Sequence, residues 1–134
     1  MTLFSIAVVS SAVHYTDNTV NYDRFAHPDP GSALPDPEAW LVATSWFGFT
    51  AVGALGVWWY ARHRITEAAV AIAIYSVSGT ISIGHYLAPG ATDMAPLRQV
   101  SIGIDVVLGL TLLGFALWSA LKVRPSPASR GRAR

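Results

Sequence analysis

The chain alternates long apolar segments with short polar ones. Three segments contain the roughly 20 consecutive apolar residues that a helix needs to cross a hydrocarbon core about 30 Å thick. A fourth, near the start of the sequence, reaches that length only if its helix includes the polar residues Thr16 and Asp17. The pattern predicts an all-α integral membrane protein, an up-down-up-down bundle of four helices within one domain, residues 1–124. The predicted spans are residues 3–20, 39–61, 66–88 and 99–121.

A cleaved secretory signal is the alternative interpretation of the first segment. Such signals carry basic residues before the apolar stretch and a small-x-small cleavage site after it. No Lys or Arg precedes this stretch, and no clean cleavage site lies ahead of His14. We therefore predict that the first helix is retained as a membrane span.

Basic residues flank the predicted spans unequally. Seven of the nine Lys and Arg residues lie between the second and third spans or after the fourth, and two lie on the opposite side. Because basic residues accumulate on the cytoplasmic side, both termini are expected to be cytoplasmic. The tail 125–134, rich in Pro, Ser and Arg, is predicted to be disordered. Arg outnumbers Lys eight to one, which suggests a GC-rich bacterial gene and hence the plasma membrane.

The loop between the first two spans, residues 25–38, contains two Pro-Asp-Pro triplets. Prolines at this density exclude regular helix and central strand, so a stiff, extended connector is predicted. Asp36 is predicted to be the N-cap of the second span, with Pro37 at the first helical position. His27 is expected to be a solvated loop residue.

Composition and charge narrow the classes of function. The chain has 134 residues, of which 52% are hydrophobic and 13% charged, about half the charged fraction of soluble domains. A soluble enzyme is therefore excluded. Cysteine is absent, which excludes disulfides, thiolate metal sites and cysteine nucleophiles. A net charge of +1 gives no support to nucleic-acid binding, so the expected partners are membrane lipids, a small hydrophobic ligand or a metal ion, with an oligomer as a further possibility.

Polar residues recur at helical spacing inside three of the predicted spans. Steps of three and four residues place side chains on one face of a helix. Each of the three helices therefore presents one polar face within the membrane. The first span carries Ser10, His14, Asp17, Asn18 and Asn21, the third carries Tyr75, Ser78, Ser82 and His85, and the fourth carries Ser101 and Asp105.

The spacing also predicts the depth of the ionisable groups. At 1.5 Å per residue, His14, His85 and Asp105 all lie about 5 to 9 Å below the outer membrane boundary. A charged Asp inside the membrane costs about 2.5 to 3.5 kcal/mol, so Asp105 is expected to pair with the two histidines, to be protonated or to face water. We predict a polar pocket in the outer half of the bundle that binds a small ligand or a metal ion. Its predicted residues are His14, Asp17, Asn18, Ser82, His85, Ser101 and Asp105.

Other interpretations of the same residues remain open at this stage. A divalent metal such as Zn²⁺ or Fe²⁺ would accept two imidazoles and two carboxylates. An enzyme embedded in the membrane could move a proton between a His–Asp pair and a lipid-soluble substrate. A structural or assembly subunit would use the polar layer only to fix helix packing, and proton or ion conduction is the last alternative. No catalytic residue is assigned. The candidate metal ligands are His14, Asp17, His85 and Asp105.

Overall fold

The computed structural model describes residues 2–34 and 36–122, and the predicted tail 125–134 lies outside them. The secondary structure of these residues is entirely helical, as predicted, with no strand among them. Three short 3-10 turns interrupt the loops and the third helical segment. The helices are α1 (Thr2–Val20), α2 (Ala39–Ala61), α3 (Ile65–Thr80), α4 (Gly84–Leu87) and α5 (Pro96–Lys122), and the 3-10 turns are Tyr22–Arg24, Ile81–Ile83 and Ala91–Asp93.

Three helical segments are long and apolar enough to cross a membrane: α2, the continuous segment Ile65–Leu87 and α5. Their helical bounds lie within three residues of three of the predicted spans. The helix predicted at 3–20 is present as α1, whose 19 residues extend about 28 Å. It does not reach the apolar composition of the other three, so its crossing of the membrane stays a prediction.

Apolar side chains cover the outer surfaces of the helices. In the most apolar 18-residue stretch of each segment, 17% of α2 and 28% of α5 is buried, compared with 50% of the Ile65–Leu87 segment. Large side chains such as Phe47, Val107 and Leu110 are more than half exposed. Water-soluble monomers rarely expose contiguous apolar surfaces of this extent. The surface is that of a membrane protein.

Helix α3 has the most extensive packing, against α2 on one side and α5 on the other, while α1 packs against α2 and α5. Glycines bring α3 and α5 together. A Cβ atom added to Gly79 would lie 2.5 Å from the Asp105 carbonyl oxygen, and one added to Gly109 would lie 2.9 Å from the Ser76 carbonyl oxygen. Only glycine permits this backbone approach, a common device for packing membrane helices.

The two ends of the molecule differ in chemistry. We call the end that carries the loop 21–38 the loop end, and the end that carries the turn 62–64 the turn end. At the turn end, basic groups lie over tryptophan rings, with Lys122 4.5 Å from the Trp118 centroid and Arg62 5.0 Å from the Trp58 centroid. Tryptophan and basic side chains are enriched where membrane helices reach the headgroups.

Candidate functional site

The loop between α1 and α2 folds back onto the helices. Phe25 and Ala26 are 4% and 8% exposed and pack with Ala88, Met94 and Ile102 in an apolar cluster at the loop end. As predicted, residues 25–34 and 36–38 form neither helix nor strand, but the burial of Phe25 and Ala26 was not predicted. Burial of the Phe25 ring favours this folding back, since a fully buried large apolar side chain contributes about 1.5 to 3 kcal/mol.

Phe25 inserts beside two histidines that come from different helices. Its ring centroid lies 5.7 Å from that of His14 on α1 and 5.0 Å from that of His85 on α4. The two imidazoles are themselves 5.8 Å apart. The guanidinium of Arg98 covers Phe25 at 4.6 Å. The predicted meeting of His14 with His85 is thus present in the structure.

The hydrogen bonds of His85 indicate which of its nitrogens carries the proton. Asn18 Nδ2 lies 3.1 Å from His85 Nε2, and because an amide nitrogen only donates, Nε2 must accept. His85 Nδ1 lies 3.4 Å from the carbonyl oxygen of Ala26, which only accepts, so Nδ1 carries the hydrogen. The geometry therefore fits a neutral imidazole held between α1 and the loop.

Two polar atoms of this cluster have no hydrogen-bond partner among the described residues: His14 Nδ1 and Asn18 Oδ1. Both side chains are almost fully buried, at 1% and 6% exposure. Leaving a buried polar atom unpaired costs about 1 to 3 kcal/mol. Buried polar atoms without a partner are rare in folded proteins, and a bound ligand that forms hydrogen bonds with them would explain their presence here.

These side chains form part of the wall of a cavity of about 560 Å³. Its volume lies within the range of about 300 to 1,000 Å³ that is typical of small-molecule sites. Most of its wall is apolar and comes from α2 and from the segment 81–87, whereas α1 and the loop supply most of its polar groups. The apolar lining includes Leu41, Val42, Phe49, Ile81, Ile83 and Leu87, and the polar lining consists of His14, Tyr15, Asn18, Tyr22, His27, Asp36, Ser45, Ser82 and His85.

The loop contributes a polar rim that the sequence did not predict. His27 Nδ1 lies 2.8 Å from Asp36 Oδ1, and His27 Nε2 lies 2.9 Å from the carbonyl oxygen of Tyr22. The Tyr22 hydroxyl donates to Asp36 Oδ1 at 3.2 Å. The prediction that Asp36 is the N-cap of α2 is wrong, because α2 begins at Ala39, directly after Glu38. Its carboxylate holds the loop together instead.

Opposing effects set the pKa of His27. Partial burial lowers the pKa, but the hydrogen bonds to Asp36 and to the Tyr22 carbonyl, together with the negative charges of Asp36 and Asp23, outweigh it. The pKa of His27 therefore lies above its usual value. Protonation strengthens the rim because the Asp36 carboxylate then faces a full positive charge.

Asp17, a predicted pocket residue, does not line the cavity. Its carboxylate accepts hydrogen bonds from Arg98 Nε at 2.7 Å and Arg98 Nη2 at 3.0 Å, and from Asn21 Nδ2 at 2.7 Å. The bidentate pair fastens the end of α1 to the start of α5. Charge counting had placed Arg98 on this side of the membrane but had not identified its partner.

Asp105 and Ser101, the two predicted pocket residues of α5, are also absent from the cavity wall. Asp105 accepts a hydrogen bond from Ser10 at 2.6 Å, and Ser101 donates to the Arg98 carbonyl at 2.9 Å. The predicted common layer of Asp105 with the histidines is therefore wrong. Helix α5 begins at Pro96, three residues before the predicted start, so Asp105 lies about 14 Å along it instead of about 9 Å.

The four candidate metal ligands do not come together, because the two aspartates lie apart from the two histidines. Asp17 is engaged by Arg98, and Asp105 lies on the wall of a different cavity from the two histidines. No group of three or more His, Cys, Asp or Glu side chains within residues 2–34 and 36–122 is placed to hold a metal ion. His14, Asp17, His85 and Asp105 therefore do not form the predicted zinc or iron site.

Of the predicted pocket residues, the structure brings His14, Asn18, Ser82 and His85 together at one cavity. The lining residues that sequence reasoning missed come mainly from the loop, from α2 and from the apolar side chains of the segment 81–87. One signal could have found the loop residues: the apolar pair Phe25 and Ala26 stands beside His27 in an otherwise polar segment. No known protein family, characterised protein or solved structure matches this chain.

Proposed function

We propose that this chain is a membrane protein that binds, in the loop-end cavity, a small lipid-soluble molecule carrying one hydroxyl-like polar group. The observation that carries this proposal is a mostly apolar cavity whose wall includes His14 and Asn18, two buried side chains that each have an unpartnered polar atom. An apolar wall with few polar groups is the usual design of small-molecule sites.

The two unpartnered atoms support a hydroxyl as the recognised group. His14 and Asn18 are four residues apart on α1, so their Cβ atoms are about 5 to 6 Å apart on one face. A single hydroxyl that makes two hydrogen bonds of about 2.8 Å spans such a gap. It would donate to Asn18 Oδ1, which only accepts, and would accept from a hydrogen on His14 Nδ1.

The proposal includes the membrane topology. We infer that α1 crosses with the other three segments in an up-down-up-down bundle and that both termini are cytoplasmic. Seven basic residues against two support this orientation, as do the basic groups over tryptophan rings at the turn end. The cavity then lies in the outer half of the membrane, where a molecule dissolved in the outer leaflet can reach it.

A photoreactive long-chain alcohol tests the proposal. The protein is reconstituted in phosphatidylcholine liposomes with an alcohol that carries a diazirine, and labelled peptides are identified by mass spectrometry. Labelling of α2 and of residues 81–87 should saturate with probe concentration and should fall when unlabelled dodecanol is added. Labelling near Val13, which is 63% exposed on α1, should rise without saturation because that residue faces lipid.

Two tryptophan variants of α2 provide a matched comparison. Ser45→Trp places a large ring in the cavity that Ser45 lines and should abolish saturable labelling. Gly48→Trp lies one turn away, where a Cβ would meet nothing within 4 Å, and should preserve it. His14→Leu and Asn18→Leu should each weaken probe affinity at least about fivefold, the value of one hydrogen bond to a buried group.

The structural alternative predicts a different outcome. If the polar residues only fix helix packing, wild-type labelling of the cavity wall will rise linearly, as it does near Val13, and dodecanol will not compete. His14→Leu would then lower the melting temperature without changing any labelling. That combination would refute the binding function and retain the packing role.

A further inference from the structure

A second, smaller cavity lies deeper between α1, α3 and α5. Its volume is about 10 Å³, close to the minimum that holds one water molecule. Its polar lining consists of Ser11, Tyr75, Ser76, Ser78 and Asp105, and its apolar wall is formed by Ala7, Leu108, Leu112 and the close contact of Gly79 with Gly109. We call it the inner chamber. It is distinct from the binding cavity proposed above, and Asp105 belongs to it alone.

The hydroxyl groups of the inner chamber direct their hydrogens away from it. Ser76 donates to the Ala73 carbonyl at 2.6 Å, and Ser78 donates to the Tyr75 carbonyl at 2.7 Å. Each hydroxyl has one hydrogen and two lone pairs. The oxygens of both serines therefore retain lone pairs but no hydrogen for an occupant of the chamber.

The Tyr75 hydroxyl has a direction as well. Ser11 uses its hydrogen on the Val8 carbonyl at 3.1 Å and accepts from Trp46 Nε1 at 3.0 Å. In its 3.3 Å contact with Tyr75, Ser11 must then accept, so Tyr75 donates its hydrogen there. The hydroxyl groups of the chamber therefore have lone pairs to offer but no free hydrogen.

Asp105 adds an unbalanced charge to this set. Its side chain is 2% exposed, Oδ1 accepts from Ser10, and Oδ2 has no hydrogen-bond partner. Of the Lys, Arg and His side chains that the structure describes, none forms an ion pair with it. A lone carboxylate buried among membrane helices is strongly unfavourable unless something neutralises it.

We propose that the inner chamber is a site for one monovalent cation, which Asp105 holds through Oδ2. Its acceptor oxygens and its single negative charge demand an occupant that brings positive charge and no acceptors. Its size admits Na⁺ or a proton bound to the carboxyl, and larger ions are excluded. The polar side chains of its wall carry oxygen atoms only, and oxygen ligands suit a hard cation. The inference does not depend on the binding of a hydrophobic ligand at the loop end.

Purified protein in detergent separates the two sources of positive charge. Thermal unfolding is measured in choline chloride and in NaCl at equal ionic strength, and infrared spectra are recorded at neutral pH. If the cation is Na⁺, the melting temperature rises with NaCl and the rise saturates. If it is a proton, Na⁺ has no effect and the spectrum contains the carbonyl band of a protonated carboxyl.

Variants assign either signal to the chamber. Asp105→Asn should remove the sodium shift or the carboxyl band, whereas Asp93→Asn, which alters an exposed carboxylate, should leave it intact. If Asp105→Asn does not fold, Ser78→Ala serves as the second variant, since it removes one acceptor and should reduce the sodium shift or move the carboxyl band. Wild-type protein with neither signal overturns the proposal, and so does a wild-type signal that neither the Asp105 nor the Ser78 variant changes.

Discussion

Replacing Gly79 by alanine should push α3 and α5 apart. The added Cβ would lie 2.5 Å from the carbonyl oxygen of Asp105 and 3.1 Å from Cα of Gly109. Carbon and oxygen atoms in close contact lie about 3.3 Å apart, so the first distance is short by about 0.8 Å. Both neighbours are backbone atoms of a helix, which cannot rotate away as a flexible side chain can.

The magnitude follows from two opposing terms. Overpacking of a tight core contact costs about 1 to 3 kcal/mol, and a backbone clash of this depth belongs at the upper end. Alanine also stabilises a helix interior by about 1 kcal/mol relative to glycine. Gly79→Ala should therefore lower the free energy of unfolding by about 2 kcal/mol. Gly114→Ala on α5 meets nothing within 4 Å and should raise it by about 1 kcal/mol.

The assay is equilibrium unfolding in mixed detergent micelles, followed by tryptophan fluorescence. Opposite signs for two Gly-to-Ala changes are the decisive feature, because any general effect of alanine on membrane helices cancels in the comparison. The expected difference between the variants is about 3 kcal/mol. If Gly79→Ala proves as stable as Gly114→Ala, α3 and α5 do not approach as closely as described, and the inner chamber between them loses its wall.

Three further predictions concern the loop end. Because the pKa of His27 is raised, its pairing with Asp36 stabilises the fold fully below the unfolded-state pKa of about 6.5, and this stabilisation is lost as pH rises through the folded pKa. The melting temperature should therefore fall more steeply with rising pH in the wild type than in His27→Gln. Parallel curves for the two proteins would contradict this prediction. Arg98→Gln leaves the Asp17 carboxylate without its partner and should lower the free energy of unfolding by about 1 to 3 kcal/mol. The double variant with Asp17→Asn should recover part of this loss. If the effects of the two substitutions simply add, the two side chains do not form the ion pair described. Phe25→Ala should lower stability by about 3 kcal/mol and weaken binding of the photoreactive alcohol, and an unchanged melting temperature would mean that the loop does not pack as described.

The bounds of the long helices and the positions of their polar faces could be predicted from the sequence. Apolar length alone placed α2 at its observed bounds, Ala39–Ala61, because the bilayer thickness fixes how long such a segment must be. The stripe of polar residues on α1 does turn toward α4 and α5, as shown by the contact of Asn18 with His85 and the hydrogen bond from Ser10 to Asp105. Helical periodicity determines these directions once the helices are paired.

The position of each helix along its neighbours and the packing of the loop could not be predicted from the sequence. Asp105 accepts a hydrogen bond from Ser10, which lies one helical turn before His14 on α1, so Asp105 lies about 6 Å further from the loop end than His14 does. The pairing of Asp17 with Arg98 joins residues 81 positions apart, and no local pattern encodes such a contact. The burial of Phe25 depends on a niche that three different helices create together.

Native mass spectrometry tests the central claim most directly. Wild-type protein, Ser45→Trp and Gly48→Trp are released from detergent micelles after incubation with dodecanol, and the number of alcohol molecules retained per chain is counted. The account predicts one molecule on the wild type and on Gly48→Trp, and none on Ser45→Trp. Equal retention by all three variants, or none by the wild type at any alcohol concentration, would contradict the assignment of the loop-end cavity as a binding site.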